Sequence, residues 1–574
     1  MRRRILPCFI MFGVLVVPGL FGADPARAVT GNVLSYQKIS DLAGNFTAPL
    51  TNLCELGGSA TYLGDLDGGG PSVGAIAVGA ALDDDGGGDR GAVFIMFLNA
   101  TGGVLSYQKI SDTQGNFPEL IINVDQFGSS VASLGDLDGA GPSAGAIAVG
   151  AVGEDDGGTD RGCVYILFLS TTGNVLSYTK ISDTVGNLVS PLDNLDEFGG
   201  AVANLGDLDG TGPSVTALAV GAVGDDDGGG DRGAVYILFL SSTGTVLSER
   251  KISDTQGNFQ AVLDNADDFG SSVTALGDLD GPAGPGESAI AVGATFDDDG
   301  GIDRGAVYIL FLNAAGTVIG EQKISDLAGN FQAILADSDE FGGAVQWIGD
   351  LDGTGGSAAS LAIGVAGDDD GGEDRGAVYI VYLGPNGVCT SSSKISDFFG
   401  NFTAVMHNLD AFGTSLAWLG DYDGAPGPPQ GAGGPSVAGV VVGMTGDDDG
   451  GTDRGAVYVL FLDGLDPTVS VPPMPWKTRT GVLGRAAPNP FHPGLATRID
   501  FRLDEAAQVR IDVWDVTGRQ VRTLVDGFSP AGEHQVLWDG LDDAGRTLAT
   551  GTYFYRMAVV GRAPTKSERV LLLR

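Results

Sequence analysis

A segment of about 70 residues recurs six times, and this recurrence constrains the chain more than any other feature. Its clearest marker is an acidic, glycine-rich loop that ends in arginine and leads into an apolar stretch, as in Asp225–Leu240. A period this regular predicts a repeat architecture in which each unit packs against its neighbours. The arginines are Arg90, Arg161, Arg232, Arg304, Arg375 and Arg454, with steps of 71, 71, 72, 71 and 79 residues.

Four short stretches in each repeat have the pattern of β-strands. The first repeat has Leu56–Gly64, Ala75–Gly79 and Ala92–Leu98, and Leu105–Lys109 follows a tight turn at Asn99–Gly102. We call these the first to fourth strand types. Turns rich in Gly, Asp and Asn separate them, and helix-period stretches are scarce. Four antiparallel strands repeated along a chain predict the blades of a β-propeller.

The order of short motifs within each repeat resembles the FG-GAP repeat of integrin α-chain propellers and their bacterial relatives. The resemblance covers residues 31–462 and implies a propeller that binds its partners on the face carrying the acidic loops. Integrin-type propellers have seven blades, whereas six copies are present here. In the third copy the motifs are Phe198–Gly199, Leu205–Gly210, Val220–Ala222 and Gly233–Tyr236.

The two ends of the repeat array predict how the propeller closes. Leu34–Ser40 is of the fourth strand type but has no third-type strand before it, and Ala456–Leu462 is of the third type but has no fourth-type strand after it. We expect these two to pair, because third- and fourth-type strands are neighbours across a tight turn in the other copies. The pairing would remove an exposed sheet edge.

From Asn489 the pattern changes, and alternating stretches such as Ala496–Leu503 predict a small β-sandwich. Residues 486–574 resemble the Ig-like domain of flagellar hook-capping proteins and the C-terminal sorting domains of type IX secretion cargo. The resemblance implies export across, or attachment at, an outer membrane, with secretion or outer-membrane machinery as the partner. Its motifs are Asn489–Phe491, Asp515–Arg519, Val521–Val525, Trp538–Gly540, Gly551–Phe554 and Arg569–Arg574. The predicted fold class is all-β: a six-bladed β-propeller closed by an N-terminal strand, plus a small C-terminal Ig-like β-sandwich.

The predicted order is a signal peptide at 1–28, the propeller at 29–464, a proline-rich linker at 465–485 and the C-terminal domain at 486–574. Arg2–Arg4, the apolar run Ile5–Phe21 and Ala26–Ala28 match the three parts of an export signal. The alternative is an uncleaved membrane anchor. No other segment is apolar for long enough to cross a bilayer. The protein is therefore predicted to be secreted or at the cell surface, without a transmembrane segment after cleavage.

Charge is concentrated in the repeats. The chain has a net charge of −42, and residues 29–464 contain 60 acidic and 13 basic residues. A surface this acidic repels nucleic acid and anionic membranes, so neither is an expected partner. Cys54, Cys163 and Cys389 fall in different repeats at different positions, which argues against a disulfide framework.

The acidic loops are the first candidate for metal binding. Asp83, Asp85 and Asp89 occupy loop positions one, three and seven, and Gly86 and Gly87 allow a tight bend. A bound Ca²⁺, which takes about six to eight oxygen ligands, would remove a repulsion of about 3 kcal/mol per carboxylate pair at ~5 Å. The alternative is a solvated turn whose arginine bridges neighbouring carboxylates or carbonyls. The other copies have Asp155, Asp156 and Asp160; Asp225, Asp227 and Asp231; Asp297, Asp299 and Asp303; Asp368, Asp370 and Asp374; and Asp447, Asp449 and Asp453.

A weaker candidate is the turn after the first strand type, where the FG-GAP resemblance implies a calcium loop with Asp at positions one, three, five and nine. Here positions one and three are Asp in every copy, but positions five and nine are not acidic, as Gly69 and Ala75 illustrate. The alternative is that these carboxylates cap turns through Asx hydrogen bonds. The residues are Asp65, Asp67, Asp136, Asp138, Asp207, Asp209, Asp278, Asp280, Asp350, Asp352, Asp421 and Asp423.

The sequence favours a non-catalytic binding or adhesion protein. It has three histidines, and it lacks a Cys–His pair, a nucleophile elbow and a phosphate-binding loop with lysine. The acidic loops share a face with the long, variable connections between fourth- and first-type strands, and such loops in repeat proteins commonly bind partners. We expect a protein or glycan ligand there, with calcium as the candidate cofactor. The alternative is a secreted lectin, or a carboxylate-based hydrolase or lyase, that uses the same face.

Overall fold

The structure is a computed structural model, and the residues it describes are 31–68, 72–139, 143–210, 214–280, 288–349, 351, 359–422, 436–465, 482–483, 497–503, 507–515, 519–529, 532–543, 546–559 and 568–573. The predicted signal peptide, most of the predicted linker, and the site residues Asp350, Asp352 and Asp423 lie outside these ranges. Within them the chain is all-β and contains no helix, so none that could span a membrane.

The described repeats form six four-stranded antiparallel sheets. Their strands are β1 (Val33–Ile39), β2 (Ser59–Gly64), β3 (Gly74–Ala80), β4 (Ala92–Leu98), β5 (Val104–Ile110), β6 (Phe127–Gly135), β7 (Gly145–Ala151), β8 (Cys163–Leu169), β9 (Val175–Ile181), β10 (Ala201–Gly206), β11 (Thr216–Ala222) and β12 (Ala234–Leu240). The second half contains β13 (Val246–Ser253), β14 (Phe269–Gly277), β15 (Ser288–Ala294), β16 (Ala306–Leu312), β17 (Val318–Ile324), β18 (Ala344–Trp347), β19 (Ala359–Val365), β20 (Ala377–Leu383), β21 (Cys389–Ile395), β22 (Phe412–Asp421), β23 (Ser436–Met444) and β24 (Ala456–Leu465).

Five sheets take their strands in sequence order, from β2-β3-β4-β5 to β18-β19-β20-β21. The sixth has the order β22-β23-β24-β1, so its outer strand comes from the start of the repeat array. Val33 lies opposite Leu462 and Ile39 lies opposite Val457. The predicted pairing of the two ends of the repeat array is confirmed, and β1 covers the edge that β24 would otherwise expose.

The first strands of the six sheets contact one another in a cycle: β2 with β6, β6 with β10, β10 with β14, β14 with β18, β18 with β22, and β22 with β2. Buried apolar clusters lie between neighbouring sheets. Val78 and Phe94 of one sheet, for example, share a cluster with Val441 and Val457 of the sheet closed by β1. Each sheet therefore completes its core against its neighbours, as expected for stacked repeats.

The Phe-Gly pair joins each sheet to the one before it. Phe127 is fully buried, and its backbone N–H donates to the Arg90 carbonyl at 2.9 Å. Gly128 follows with φ +97°, and a Cβ there would lie 2.6 Å from the Ala92 carbonyl oxygen, so only glycine fits. In the first copy Leu56 takes the place of phenylalanine.

The outer strands carry a β-bulge near their start. Phe97 pairs with Ser106 and Leu98 with Val104, which leaves Leu105 in the bulge. Bulges at a sheet edge reduce edge-to-edge association. The equivalent exposed leucines of the outer strands are Leu34, Leu105, Leu176 and Leu247.

The C-terminal strands form two sheets, β25-β26-β29 and β28-β27-β30-β31. Ile499 and Trp538 of one sheet share a buried cluster with Val513 and Tyr555 of the other, so the two sheets pack face to face. The strand β29 was not among the predicted strands, and β25 lies within the predicted linker. The strands are β25 (Val482–Leu483), β26 (Thr497–Leu503), β27 (Ala507–Asp515), β28 (Gln520–Ser529), β29 (Gly532–Trp538), β30 (Gly551–Val559) and β31 (Glu568–Leu572).

Candidate functional site

Each acidic loop contacts the Lys-Ile-Ser-Asp motif on the outer strand of its own sheet. Lys109 Nζ lies 2.7 Å from Asp83 Oδ1 and 3.3 Å from Asp85 Oδ2, and Ser111 Oγ donates to Asp85 at 2.7 Å. We call this arrangement the lysine cluster. It recurs as Lys38 with Asp447 and Asp449, Lys180 with Glu154 and Asp156, Lys251 with Asp225 and Asp227, Lys323 with Asp297 and Asp299, and Lys394 with Asp368 and Asp370.

In the second copy, loop position one is Glu154 and not Asp155. Lys180 Nζ lies 3.0 Å from Glu154 Oε1 and 2.9 Å from Asp156 Oδ2. Asp155 is exposed, and its Oδ1 accepts the backbone N–H of Asp160 at 3.0 Å. The expected equivalence of Asp155 with Asp83 is therefore corrected, because the glutamate carboxylate occupies the place beside the lysine.

The loop arginine reaches out of its loop to the connecting segment, which we define as the stretch from the outer strand of one sheet to the first strand of the next. Arg232 Nη1 lies 2.6 Å from Asp254 Oδ2, and Nε donates to Asn265 Oδ1 at 3.1 Å. The arginine bridge considered as an alternative is therefore present, but between two residues outside the loop. The other bridges are Arg90 to Asp112 and Asn123, Arg161 to Asp183 and Asn194, Arg304 to Asp326 and Asp337, Arg375 to Asp397 and Asn408, and Arg454 to Asp41 and Asn52.

The lysine cluster supplies positive charge to the loop carboxylates. The Asp83 side chain is 1% exposed and that of Lys109 is 11% exposed. Burial works against ionisation of Asp85, but hydrogen bonds from Ser111 and Gln114 outweigh it and lower the pKa of Asp85 to about 2. The ammonium group lies between positions one and three, where a bound cation would lie, while position seven is outside the cluster. Calcium binding by the loops stays a prediction.

The weaker candidates after the first strands act as turn caps where the structure describes their contacts. Asp65 Oδ1 accepts the N–H of Gly68 at 3.0 Å, and Asp136 Oδ1 accepts that of Gly139 at 2.8 Å. Ser143 Oγ donates to Asp138 Oδ1 at 2.8 Å. The first two are the Asx hydrogen bonds of the alternative interpretation, whereas the third joins two side chains. Asp67, Asp207, Asp209, Asp278, Asp280 and Asp421 lie at equivalent places in or just before these turns.

Five connecting segments each contain a buried carboxylate that was not among the predicted site residues. Asp196 is 3% exposed, and its Oδ2 accepts the N–H of Asp193 at 2.8 Å. Burial, and then the charge of Asp225 in the next sheet, raise the pKa of Asp196 to about 6. The recurring Asn/Asp-x-Asp before Phe-Gly was the available signal. The equivalents are Asp125 and Asp339, whose pKa burial raises to about 7, and Asp267 and Asp410, whose pKa it raises to about 6.

The first copy differs from the others at two residues near the buried end of its connecting segment. Cys54 stands where the other copies have the buried aspartate, and Phe94 stands where they have tyrosine. In the third copy that tyrosine, Tyr236, donates its hydroxyl to Asp225 at 3.3 Å. The junction that lacks the buried carboxylate therefore also lacks the hydroxyl donor.

A second missed feature is a ring of acidic side chains. Glu197 donates its backbone N–H to the Asp160 carbonyl at 3.2 Å, and burial together with the charges of Asp160 and Asp231 raises the pKa of Glu197. The residue of the connecting segment thus lies between position seven of one loop and position seven of the next loop, and this order recurs from sheet to sheet. We call this set the acid ring. Its members are Asp89, Asp160, Asp231, Asp303, Asp374, Asp453, Glu55, Glu197, Asp268 and Glu340.

The acid ring differs from the lysine cluster in its charge balance. Gln126 and Ala411 occupy the two connecting-segment positions that are not acidic. All the other positions of the ring are Asp or Glu. In the part of the chain that the structure describes, no lysine or arginine forms an ion pair with a member of the ring. Burial and neighbouring charges, first that of Asp231, raise the pKa of Asp268 to about 7. The ring therefore carries negative charge that no ion pair among the described residues compensates.

Comparison with known proteins gives a match for the C-terminal sandwich. Residues 491–562 match the family model of the FlgD Ig-like domain. This agrees with the expected Ig-like fold, and the two packed sheets are called the Ig-like domain below. A search of curated proteins finds no match. The FG-GAP resemblance of residues 31–462 stays a prediction.

Solved structures give weaker similarities. PorZ, an essential surface component of the type IX secretion system of Porphyromonas gingivalis, is 14% identical, with 87% of this chain and 58% of that chain covered and a TM-score of 0.32. The chain thus spans 58% of the PorZ chain. FlgD from P. aeruginosa is 20% identical, with 16% and 72% covered and a TM-score of 0.14. FlgD from Xanthomonas campestris is 24% identical, with 16% and 68% covered and a TM-score of 0.14.

Proposed function

We propose that the six sheets are the blades of a β-propeller closed by β1, and that this propeller is a non-catalytic binding protein, secreted or at the cell surface. The observation that carries the proposal is the acid ring. Along it, residues of the acidic loops alternate with residues of the connecting segments, and all six sheets contribute. A ligand that covers the ring meets similar chemistry at each sheet, which suits binding better than catalysis at one centre. The ligand is a protein or a glycan, and the role is adhesion.

The test is a screen of the purified full-length chain on protein and glycan arrays, with calcium and with a chelator. Specific binding is expected. It should weaken when Glu55, Glu197 and Glu340 are all changed to glutamine, because the ring loses charge without losing side-chain volume. No binding on either array by a folded chain would contradict the proposal.

We propose calcium as a support for this binding, through loop position seven and its acidic neighbours. Asp89, for example, lies outside the lysine cluster, so its carboxylate is not neutralised by Lys109. Calcium is expected to raise the melting temperature and to give a calorimetric binding signal, whereas magnesium, which is smaller and more geometrically demanding, should do so less. A chelator that leaves the melting temperature unchanged, together with no heat on adding calcium, would remove calcium from the proposal.

The second candidate is a lectin, or a hydrolase or lyase, at a groove between the segment that follows β5 and the outer strand β9. A cavity of about 490 Å³ lies between Asn116–Pro118 and Val175–Tyr178. Tyr178 donates its hydroxyl to Glu119, next to this groove, which combines an aromatic ring with a carboxylate. Loss of glycan binding or turnover in Glu119→Gln, with the acid-ring variant unaffected, would favour this candidate.

For the Ig-like domain we propose a role in export across, or attachment at, an outer membrane. The support is the set of sequence motifs shared with type IX sorting domains, together with the family match at 491–562. In cells that have such a system, a chain without residues 486–574 should accumulate inside the cell envelope. Unchanged delivery of the truncated chain to the medium or the surface would contradict this role.

A further inference from the structure

Large apolar side chains are exposed in the connecting segments. Leu53, Val124, Leu195 and Leu409 occupy the same place in four copies, and each is between 52% and 57% exposed. All four have positive φ, between 66° and 72°. This left-handed conformation is unfavourable for large and especially β-branched residues. Both the exposure and the backbone conformation therefore argue against a role of these side chains in folding.

The fold accepts small residues at the same place. In the two remaining copies the residues are Ala266 and Ser338, both with φ 65°. Opposite Ser338, the loop residue Ile302 is 63% exposed, and its carbonyl accepts the Ser338 N–H at 2.8 Å. Five of the six junctions thus expose a large apolar side chain, in one case from the loop side.

These apolar residues lie directly beside the acid ring. Val124 donates its N–H to the carbonyl of Gly88, the residue before Asp89, at 3.1 Å. Leu195 does the same to Thr159, the residue before Asp160, at 3.0 Å. Apolar side chains and uncompensated carboxylates therefore alternate along one surface.

A second row of apolar residues occurs earlier in the same segments. This position is apolar in all six copies and exposed in all six. The exposed fractions are 72% for Leu120, 78% for Val262, 86% for Ile334 and 75% for Val405, and the other two copies have the exposed prolines Pro49 and Pro191. Exposed apolar groups that recur in this way mark an interaction surface. We define the rim as Leu53, Val124, Leu195, Ile302 and Leu409 together with this second row.

We propose that the rim and the acid ring together bind a protein partner whose contact face combines lysine or arginine with apolar side chains. The rim supplies the apolar area and the acid ring supplies charge complementarity, which sets specificity and speeds association. An acidic partner or an anionic membrane would be repelled by the same carboxylates. The inference rests on the proposed binding function and assigns the chemical class of its ligand.

The experiment uses three synthetic peptides of equal length, composed of Lys and Leu, of Lys and Ser, and of Glu and Leu. Binding to the full-length chain is measured by fluorescence anisotropy at about 150 mM salt, where long-range attraction is largely screened. The rim variant carries Leu53→Ser, Val124→Ser, Leu195→Ser and Leu409→Ser. Serine is chosen because the fifth copy already has serine at this place, as Ser338. The matched control carries Leu34→Ser, Leu105→Ser, Leu176→Ser and Leu247→Ser, which are 46% to 49% exposed on the outer strands.

The Lys–Leu peptide is expected to bind most tightly, and the rim variant to bind it at least about tenfold more weakly, because apolar anchors carry most of an interface's affinity. The control variant should keep its affinity, and the rim variant should melt at or above the temperature of the unchanged chain. Equal binding of the Lys–Ser peptide, or equal losses in both variants, would overturn the inference. So would rim-dependent binding to phosphatidylcholine vesicles, which would make the partner a membrane.

The two proposals fail in distinguishable ways. If an array ligand binds the rim variant and the outer-strand variant equally well, the binding function stands and the rim inference is wrong. If a folded chain binds neither array ligands nor the Lys–Leu peptide, both are wrong.

Discussion

Three side chains of the Lys-Ile-Ser-Asp motif contact the acidic loop. In the third copy Lys251 contacts Asp225 and Asp227, Ser253 donates to Asp227 at 2.8 Å, and Asp254 accepts from the loop arginine. Removing one member of a buried ion pair leaves the other charged and without compensation, which costs more than the pair itself contributes. The lysine is therefore the residue on which each cluster depends most.

The first prediction concerns Lys251→Met. Methionine keeps the apolar stem that packs over the Tyr236 ring, 5.4 Å from the ammonium, but removes the charge beside the 3%-exposed Asp225 side chain. The free energy of unfolding at pH 7 should fall by about 3 kcal/mol, as measured by urea denaturation.

Arg250→Met is the matched control, because Arg250 is exposed on the same strand, next to Lys251. It should change stability by less than about 0.5 kcal/mol. Adding Asp225→Asn to Lys251→Met should restore part of the loss, since the uncompensated charge is then removed. Equal effects of the two single variants would show that the lysine cluster contributes nothing.

At the scale of elements, glycine positions decide how closely neighbouring sheets approach. Gly128 has φ +97°, and a Cβ there would meet the Ala92 carbonyl oxygen at 2.6 Å. Gly88 in the acidic loop has no atom within 4 Å of a Cβ. Steric contact therefore requires glycine in the Phe-Gly pair, whereas no steric contact requires it at Gly88.

Gly128→Ala is predicted to lower the free energy of unfolding by at least about 2 kcal/mol, through strained backbone and the clash with Ala92. Gly88→Ala should be neutral. Thermal melting of both variants checks this, and a melting temperature for Gly128→Ala equal to that of Gly88→Ala would contradict it.

The strand β1 is the element that joins the two ends of the repeat array. It pairs with β24, and its Lys38 completes the last lysine cluster with Asp447 and Asp449. The sequence Val33–Asp41 is identical to Val104–Asp112, so the last sheet receives the same strand that the first full sheet has internally.

A chain without residues 31–41 is therefore predicted to expose the edge of β24 and to self-associate. Size-exclusion chromatography should show oligomers, and adding a synthetic Val33–Asp41 peptide should return them to monomer. A scrambled peptide is the control. A monomeric truncated chain with an unchanged melting temperature would contradict the role of β1.

At the scale of the whole molecule, two sets of carboxylates respond to pH in opposite directions. Burial raises the pKa of the five connecting-segment acids from 3.8 to about 6 or 7. The folded state is penalised while they are charged, so each adds stability as pH falls from about 7 to about 4. Hydrogen bonds and lysine lower the pKa of Asp85 to about 2 despite burial, and its contribution is lost as pH falls from about 4 to about 2.

The free energy of unfolding is accordingly predicted to be highest near pH 4 to 5. Urea denaturation from pH 3 to 8 at constant ionic strength measures it. Asp196→Asn should flatten the slope between pH 5 and 7, because it removes one group that titrates there. Maximal stability at pH 7 or above would show that the buried carboxylates are not the dominant groups.

Strand positions and sheet order were predictable because the same pattern of strands and turns recurs in six copies. Ala92–Leu98 was predicted residue for residue, and the unpaired ends of the array were enough to predict the pairing of β1 with β24. The strand β29 is hard to predict from the sequence because Trp538-Asp539-Gly540 has the composition of a turn, although Trp538 ends a strand and is fully buried. In the second copy Glu154 stands where the other copies have aspartate, and the loop positions of that copy were therefore assigned one residue too late at position one.

The sequence by itself determined the period, the four strands of each repeat and the sign of the charge, because these depend on local pattern and on counting. The tertiary structure alone decided which charges meet. Lys109 lies 26 residues from Asp83, and Lys38 lies 409 residues from Asp447, so their ion pairs follow from strand pairing and not from local spacing. For the same reason only the fold separates loop positions one and three, held by lysine, from position seven, which joins acids of other sheets in the acid ring.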